Sequence, residues 1–131
     1  MIGLVVVAHA GLAQELLRAA EMIVGSIEAA EAVGIEPDAQ VEGIRDAVAG
    51  AIAKADGNGG VIVMTDMFGG TPSNMSLSFL QEGRVEVLTG VNLPMVIKFA
   101  SERTKCGVAE LAARLKGCGR DSISVAGDYL K

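Results

Sequence analysis

Two residues that lie far apart in this 131-residue sequence, a histidine and an aspartate, have the right types to do chemistry together. His9, the one histidine of the chain, directly follows the apolar run Ile2–Ala8, and Asp66 comes just after the apolar run Val61–Met64. A carboxylate that accepts a hydrogen bond from one imidazole nitrogen fixes the tautomer and turns the other nitrogen outward as a nucleophile. It also stabilises the cation that forms when the ring takes an electrophile.

A glycine-rich loop after Asp66 supplies backbone donors. In Gly69–Thr71 the glycines allow backbone N–H groups to approach a ligand closely, and we expect Thr71 to be the N-cap of a following helix. The N-terminus of a helix favours phosphate through its free N–H groups and its dipole. The helix that begins at Ala10-Gly11 would provide a second such N-terminus. Neither loop contains Lys or Arg, so amide N–H groups and hydroxyls would hold a phosphoryl group there.

The alternation of strand and helix patterns predicts how these residues are positioned. It indicates one α/β domain over residues 1–131, a three-layer sandwich with a mostly parallel sheet of order 2-1-3-4. In that order strands 1 and 3 are neighbours, and ligands bind at their carboxyl ends, where His9 and Asp66 lie. The predicted strands are Ile2–Ala8, Ala30–Ile35, Val61–Met64, Arg84–Leu88 and Ser122–Ala126; the predicted helices span 12–23, 41–52, 71–80, 93–100 and 108–115, the last stopped by Gly117.

Composition excludes several classes of protein. The net charge is −5, no basic cluster exists and aromatic residues make up 3%, so nucleic-acid binding is not expected. No apolar segment reaches the ~20 residues of a membrane span, and the N-terminus does not resemble a signal peptide. Cys106 and Cys118 do not form a zinc pattern, so we expect reduced thiols, no metal, no cofactor and a cytoplasmic location.

Among the chemistries open to a lone His–Asp pair, a phosphohistidine intermediate fits these residues well. A P-loop motif is absent, and a metal site needs more than one histidine and one aspartate. A small hydrolase could use Thr71 or Ser73, but the chain has no Gly-x-Ser-x-Gly motif. Phosphoryl transfer needs positioning and electrostatic stabilisation and little acid–base apparatus.

Four separated segments resemble the mannose-family IIA proteins of the bacterial phosphoenolpyruvate–sugar phosphotransferase system, over nearly the whole chain. They are Ala8-His9-Ala10-Gly11-Leu12-Ala13, Ala20-Glu21-Met22, Thr65-Asp66-Met67-Phe68-Gly69-Gly70-Thr71-Pro72-Ser73-Asn74 and Gly90-Val91-Asn92-Leu93-Pro94-Met95. The resemblance implies that His9 accepts phosphate from phospho-HPr and that Asp66 hydrogen-bonds its other ring nitrogen. The remaining candidate phosphoryl-binding and pocket residues are Ala10, Gly11, Met22, Met67, Phe68, Gly69, Gly70 and Thr71.

The resemblance also implies partners and assembly. His9 would pass the phosphoryl group to a separate IIB protein in sugar uptake, with only indirect membrane association through IIC and IID components. Members of the family are homodimers, and Ser122–Ala126 matches the C-terminal antiparallel strand that they exchange between subunits. Ala8 and Ala10 depart from the family pattern, which often has a hydroxyl residue before the histidine and glycine after it. Met67 and Phe68 are expected to form an apolar docking rim.

Two other roles remain open for a chain of this kind. It could be a regulatory sensor whose phosphorylation state is read without any sugar being moved. It could also be the IIA-like subunit of a dihydroxyacetone kinase system. The sugar, and whether any is transported, cannot be deduced because a IIA protein does not touch it.

Overall fold

The computed structural model describes residues 1–130 as alternating strands and helices. Four strands form one parallel sheet of order β2-β1-β3-β4, which confirms the predicted order 2-1-3-4. The elements are β1 Gly3–His9, α1 Leu12–Val24, β2 Ala30–Ile35, α2 Val41–Ala55, β3 Val61–Thr65, α3 Thr71–Leu77, β4 Val85–Thr89, α4 Leu93–Glu102, α5 Val108–Asp121 and a short 3-10 helix Ala126–Leu130.

The sheet is covered on both faces, which explains the unbroken apolar runs of β1 and β3. Alternate residues of a strand point to opposite faces, so each run must be apolar throughout. Leu4 and Val6 pack with α1, α4 and α5, whereas Val5 and Val7 pack with α2 and α3. This arrangement gives two apolar cores and the predicted three layers.

Helix ends follow local signals in some places and not in others. Asn92 caps α4, because its side chain accepts a hydrogen bond from the N–H of Met95 at 3.1 Å. Thr71 is not an N-cap: Gly70 takes that position and Thr71 is the first helical residue. Gly117 does not stop α5 either, because the apolar face of that helix keeps it packed to Asp121.

The predicted strand at Ser122–Ala126 is wrong for the single chain. Residues 123–125 have no regular secondary structure, and the 3-10 helix begins at Ala126. The Ser122 hydroxyl donates to the Cys118 carbonyl at 2.7 Å, which continues the helical turn. A strand needs a neighbouring strand to satisfy its backbone groups, and in one chain this segment has none.

Within residues 1–130, no helix has the length and apolar character needed to cross a membrane.

A buried arginine ties the sheet together at the end opposite His9. Arg103, which follows α4 and is 6% exposed, donates from Nε and Nη2 to the Ile2 carbonyl at 3.0 and 2.6 Å. Its Nη1 donates to the Glu28 carbonyl at 2.6 Å, and its guanidinium lies 4.8 Å from the centre of the Phe99 ring. These contacts link the starts of β1 and β2 to α4.

We therefore predict that Arg103→Met lowers the free energy of unfolding by about 2–3 kcal/mol, because the buried Ile2 carbonyl and the partly buried Glu28 carbonyl lose charged donors. Urea denaturation measures this. The control Arg18→Met removes an arginine whose side chain is 75% exposed, and its effect should stay within about 0.5 kcal/mol. Equal losses for the two variants would contradict the structural role of Arg103.

Candidate functional site

The sheet brings the two predicted chemical residues to the same edge. His9 is the last residue of β1, and Asp66 directly follows Thr65, the last residue of β3. The two strands are adjacent and parallel, with Val7 in register with Thr65. The chain therefore leaves both strands at nearly the same level, which is the topological switch point of the sheet.

The His9 and Asp66 side chains are in contact. Nδ1 of His9 lies 2.7 Å from Oδ2 of Asp66, and the backbone N–H of His9 donates to the same oxygen at 3.0 Å. The N–H of Met67 donates to Oδ1 at 3.0 Å. Each oxygen of the Asp66 carboxylate thus accepts a backbone hydrogen bond, in addition to the contact with the imidazole ring. It is 13% exposed, whereas the His9 side chain is 50% exposed.

This geometry makes Nδ1 the protonated nitrogen and leaves Nε2 as the one with a free lone pair. No side chain or backbone group in the described part of the chain hydrogen-bonds to Nε2. The site consequently presents a single nucleophilic atom to solvent, held by an acceptor behind it.

The electrostatics of the pair favour an ionised carboxylate. Burial raises the pKa of Asp66, but the N–H and the ring of His9, together with the N–H of Met67, outweigh burial. The pKa of Asp66 therefore lies below its ordinary value. Asp66 remains an acceptor at neutral pH and does not act as an acid.

The loop after Asp66 lies against the exposed edge of the imidazole. Gly69 has φ +94°, a conformation that favours glycine, and Gly70 approaches the ring. A Cβ added at Gly70 would lie 3.0 Å from His9 Cε1 and 3.5 Å from Nε2. Gly70 precedes α3, whose first-turn N–H groups have no partners within the helix.

Ala10 follows His9 in a strained conformation. Its φ is +51°, where an alanine is less stable than a glycine by about 1–2 kcal/mol. Its N–H donates to the Ile35 carbonyl at 2.9 Å, and its carbonyl lies so close to Gly34 that a Cβ there would come within 2.4 Å. Sequence reasoning did not identify Gly34, although a glycine inside a strand indicates a close backbone approach.

Only some of the other predicted phosphoryl-binding and pocket residues lie beside His9. Thr71 and Ala10 line one cavity with His9, and Gly11 is the N-cap of α1. Met67 and Phe68 are 53% and 73% exposed.

In the single chain Met22 does not line the His9 cavity, so its implied role as a pocket residue stays a prediction. It lies ten residues after Leu12 in α1, about 15 Å along a helix that runs away from the site. It is 87% exposed, beside Glu15 and Arg18. The predicted helix 12–23 already implied this distance, because an α-helix rises 1.5 Å per residue and Met22 lies near its far end.

Within residues 1–130, no three His, Cys, Asp or Glu side chains are close enough to hold a metal ion. The polar side chains that the structure places together here are those of His9 and Asp66, and Thr71 lines the same cavity as His9.

The chain is similar in sequence and in fold to components of the phosphotransferase system (PTS). A model of the family EIIA-man, described as "PTS system fructose IIA component", matches residues 3–116. Over 124 residues the chain is 30% identical to the PTS system mannose-specific EIIAB component of Escherichia coli. The aligned region covers 93% of this chain and 38% of that protein. The chain therefore spans well under half of that relative.

Two further relatives are similar over most of their own length. The PTS system sorbose-specific EIIA component of Lacticaseibacillus casei is 27% identical over 113 residues, 86% of this chain and 81% of that protein. The solved structure of the mannose/sorbose specific IIA subunit from Enterococcus faecalis superposes with a TM-score of 0.84 at 28% identity, covering 95% of this chain and 93% of that one.

The lowered pKa of Asp66 predicts a pH-dependent contribution to stability. A carboxyl whose folded pKa is below its unfolded value of about 3.9 stabilises the fold above that value. The contribution is lost as the pH falls through the folded pKa. Asp66→Asn should cost about 1–2 kcal/mol of unfolding free energy at pH 7 and progressively less below about pH 4. Urea titrations at several pH values measure this; a difference unchanged from pH 7 to pH 3 would contradict it.

Proposed function

The chain belongs to the EIIA-man family of phosphotransferase-system IIA components, and from this membership we propose that it is a phosphocarrier that accepts a phosphoryl group on His9. The observation that supports the proposal is the 2.7 Å contact between Nδ1 of His9 and the Asp66 carboxylate. That contact leaves Nε2 unprotonated and accessible, as a nucleophile requires.

In the proposed step, the Nε2 lone pair of His9 attacks the phosphorus of a phosphohistidine on the donor protein. A new N–P bond forms at Nε2, the donor N–P bond breaks, and its electron pair returns to the donor ring. The Nδ1 proton stays on His9, and Asp66 stabilises the positive charge that the ring acquires. Transfer to the acceptor is the same step in reverse, with the phosphoryl group leaving Nε2.

Backbone amides are the proposed cradle for the phosphoryl oxygens. Gly70 lies beside Nε2, and the Thr71 side chain lines the same cavity as His9. No Lys or Arg occurs among residues 9–15 or 66–75. Phosphoryl held by neutral amides is less strongly stabilised than phosphoryl paired with cations, which suits a group that must leave again.

The proposed partners follow from the family. Phospho-HPr is the donor and a IIB protein is the acceptor, in the cytoplasm, with IIC and IID components forming the membrane part of the uptake system. We also propose a homodimer in which the segment Ser122–Ala126 pairs with a partner subunit. Within this segment Ile123 and Val125 are 77% and 69% exposed in the single chain, so a second chain could cover them.

The direct test is phosphorylation by enzyme I, HPr and phosphoenolpyruvate, measured as acid-labile phosphate on the chain. We expect His9→Ala to abolish the signal. Asp66→Asn should slow transfer about 10- to 100-fold while the protein stays folded, because the ring loses its fixed tautomer. Phosphate uptake by His9→Ala, or normal rates for Asp66→Asn, would contradict the assigned roles.

A second test uses the close approach of Gly70. Gly70→Ala should slow phosphorylation at least about tenfold, because the new Cβ would displace the ring or occupy space beside Nε2. Gly107→Ala is a matched control, since Gly107 is also an N-cap with φ −82° and ψ 176° against −90° and 174° for Gly70. A Cβ at Gly107 meets nothing within 4 Å. Equal rates for both variants would remove Gly70 from the site.

A further inference from the structure

We propose that a second, small cavity, between the end of β4, the start of α4 and the last turns of α5, binds the phosphate group of a small anion. Lys116 and Arg120 line this cavity and would supply the charged contacts. It shares no lining residue with the cavity beside His9. The proposal therefore goes beyond the phosphocarrier function and does not depend on it.

Lys116 and Arg120 differ from most other cations of the chain in having no charged partner among residues 1–130. Both are exposed residues of α5. Arg103 donates to backbone carbonyls, and of the remaining described cations only Arg45 shares this lack of an ion pair without lining the cavity. The six that do form ion pairs with carboxylates are Arg18, Lys54, Arg84, Lys98, Lys105 and Arg114.

The spacing of the two cations concentrates positive charge at the cavity. Lys116 and Arg120 are four residues apart in α5, so they lie on the same face of the helix and repel each other. No Asp or Glu within residues 1–130 lines the cavity. A site with two cations and no carboxylate attracts an anion locally, although the net charge of the chain is −5.

Asn92 joins the walls of the cavity. Its side-chain oxygen accepts a hydrogen bond from the N–H of Met95 in α4, and its side-chain nitrogen donates to the Gly119 carbonyl in α5 at 2.9 Å. Gly119 is buried, and a Cβ there would lie 2.5 Å from Cε of Met95. The C-terminal part of α5 is therefore held against the start of α4, whose dipole adds positive potential at the cavity.

The size of the cavity limits what it can hold. Its volume is about 120 Å³, well below the roughly 300–1,000 Å³ of pockets that enclose a drug-sized ligand. It has room for one phosphate-sized group, with the rest of a larger ligand extending into solvent. The guanidinium of Arg120 can bind a phosphate through two parallel hydrogen bonds, and the ammonium of Lys116 adds a point charge.

The proposed dimer changes little at this cavity. Of the lining residues, only Ile123 belongs to the segment that we propose to pair with a second chain. The others come from β4, the β4–α4 loop, α4 and α5, so the two cations and Asn92 keep their places in either state.

The test is a titration of the nitrogen-labelled chain with inorganic phosphate and, separately, with glycerol phosphate, at constant ionic strength. We expect saturable shifts of the amide NMR signals of Gly90, Asn92 and Arg120. His9→Ala should show the same shifts, which separates this site from phosphate bound beside His9. Tighter binding of glycerol phosphate would assign the site to a small phosphate ester, and binding of inorganic phosphate at least as tightly would assign it to the free ion; both outcomes support the site.

Substitutions at the two cations test their role. Lys116→Met and Arg120→Met should each weaken phosphate binding about tenfold, because each removes a charged donor. Arg45→Met and Lys54→Met remove the same charge elsewhere on the surface and are the matched controls. Their dissociation constants should stay within about twofold of the wild type, since solvent and salt screen distant charges.

The alternative role of these cations needs no ligand, because cations near the C-terminal end of a helix stabilise its dipole. In that case Lys116→Met and Arg120→Met would lower stability, but phosphate would shift no signal around the cavity in the wild type, and the proposal would be wrong. Equal weakening by cavity and control variants, or loss of the shifts in His9→Ala, would also overturn it. A failure of phosphoryl transfer to His9 would leave this result unchanged, so the two hypotheses are tested separately.

Discussion

The contact between Nδ1 of His9 and Oδ2 of Asp66, 2.7 Å long, is the interaction on which the rest of the site depends. It forms because two adjacent parallel strands end at the same level, so that residues 57 positions apart meet without any long loop. Two backbone N–H groups donate to the carboxylate and so fix its position independently of the imidazole ring. Nε2 of His9 is therefore positioned by residues at the ends of regular strands and not by a long loop.

Backbone conformation contributes as much to this site as side-chain chemistry. Ala10 accepts an unfavourable φ of +51°, Gly34 admits the Ala10 carbonyl, and Gly70 lies where any side chain would crowd the ring. The conformation of Ala10 lowers local stability, and the close contacts at Gly34 and Gly70 exclude larger residues. All three positions help to place the His9 imidazole. Strain held at a functional site in this way requires a well-packed scaffold, and the two apolar cores on the faces of the sheet supply it.

Patterns that depend on local sequence and on parallel-sheet geometry allowed much of this to be predicted. The apolar runs of β1 and β3 and the order of the strands placed His9 and Asp66 at one edge. Features that depend on distant contacts could not be predicted: Gly117 lies inside α5 because tertiary packing outweighs its low helix propensity, and the carbonyls that Arg103 satisfies are 75 and 101 residues away. The segment Ser122–Ala126 has strand-forming residues but no strand beside it in one chain. The implied pocket role of Met22 stays a prediction, since in the single chain this residue lies near the far end of α1 and does not line the His9 cavity.

The buried Arg103 side chain and His9 lie at opposite ends of β1. Arg103 holds the backbone where β1 and β2 begin, whereas His9 ends β1. The length of β1, seven residues, separates them by roughly 20 Å, beyond the range over which substitutions usually influence one another. Free-energy changes at the two ends should consequently be additive. Substitutions in the loops around His9 should therefore leave the stabilising contacts of Arg103 unchanged. A protein of this fold can vary those loops, and the partners they contact, without losing the alignment of its strands.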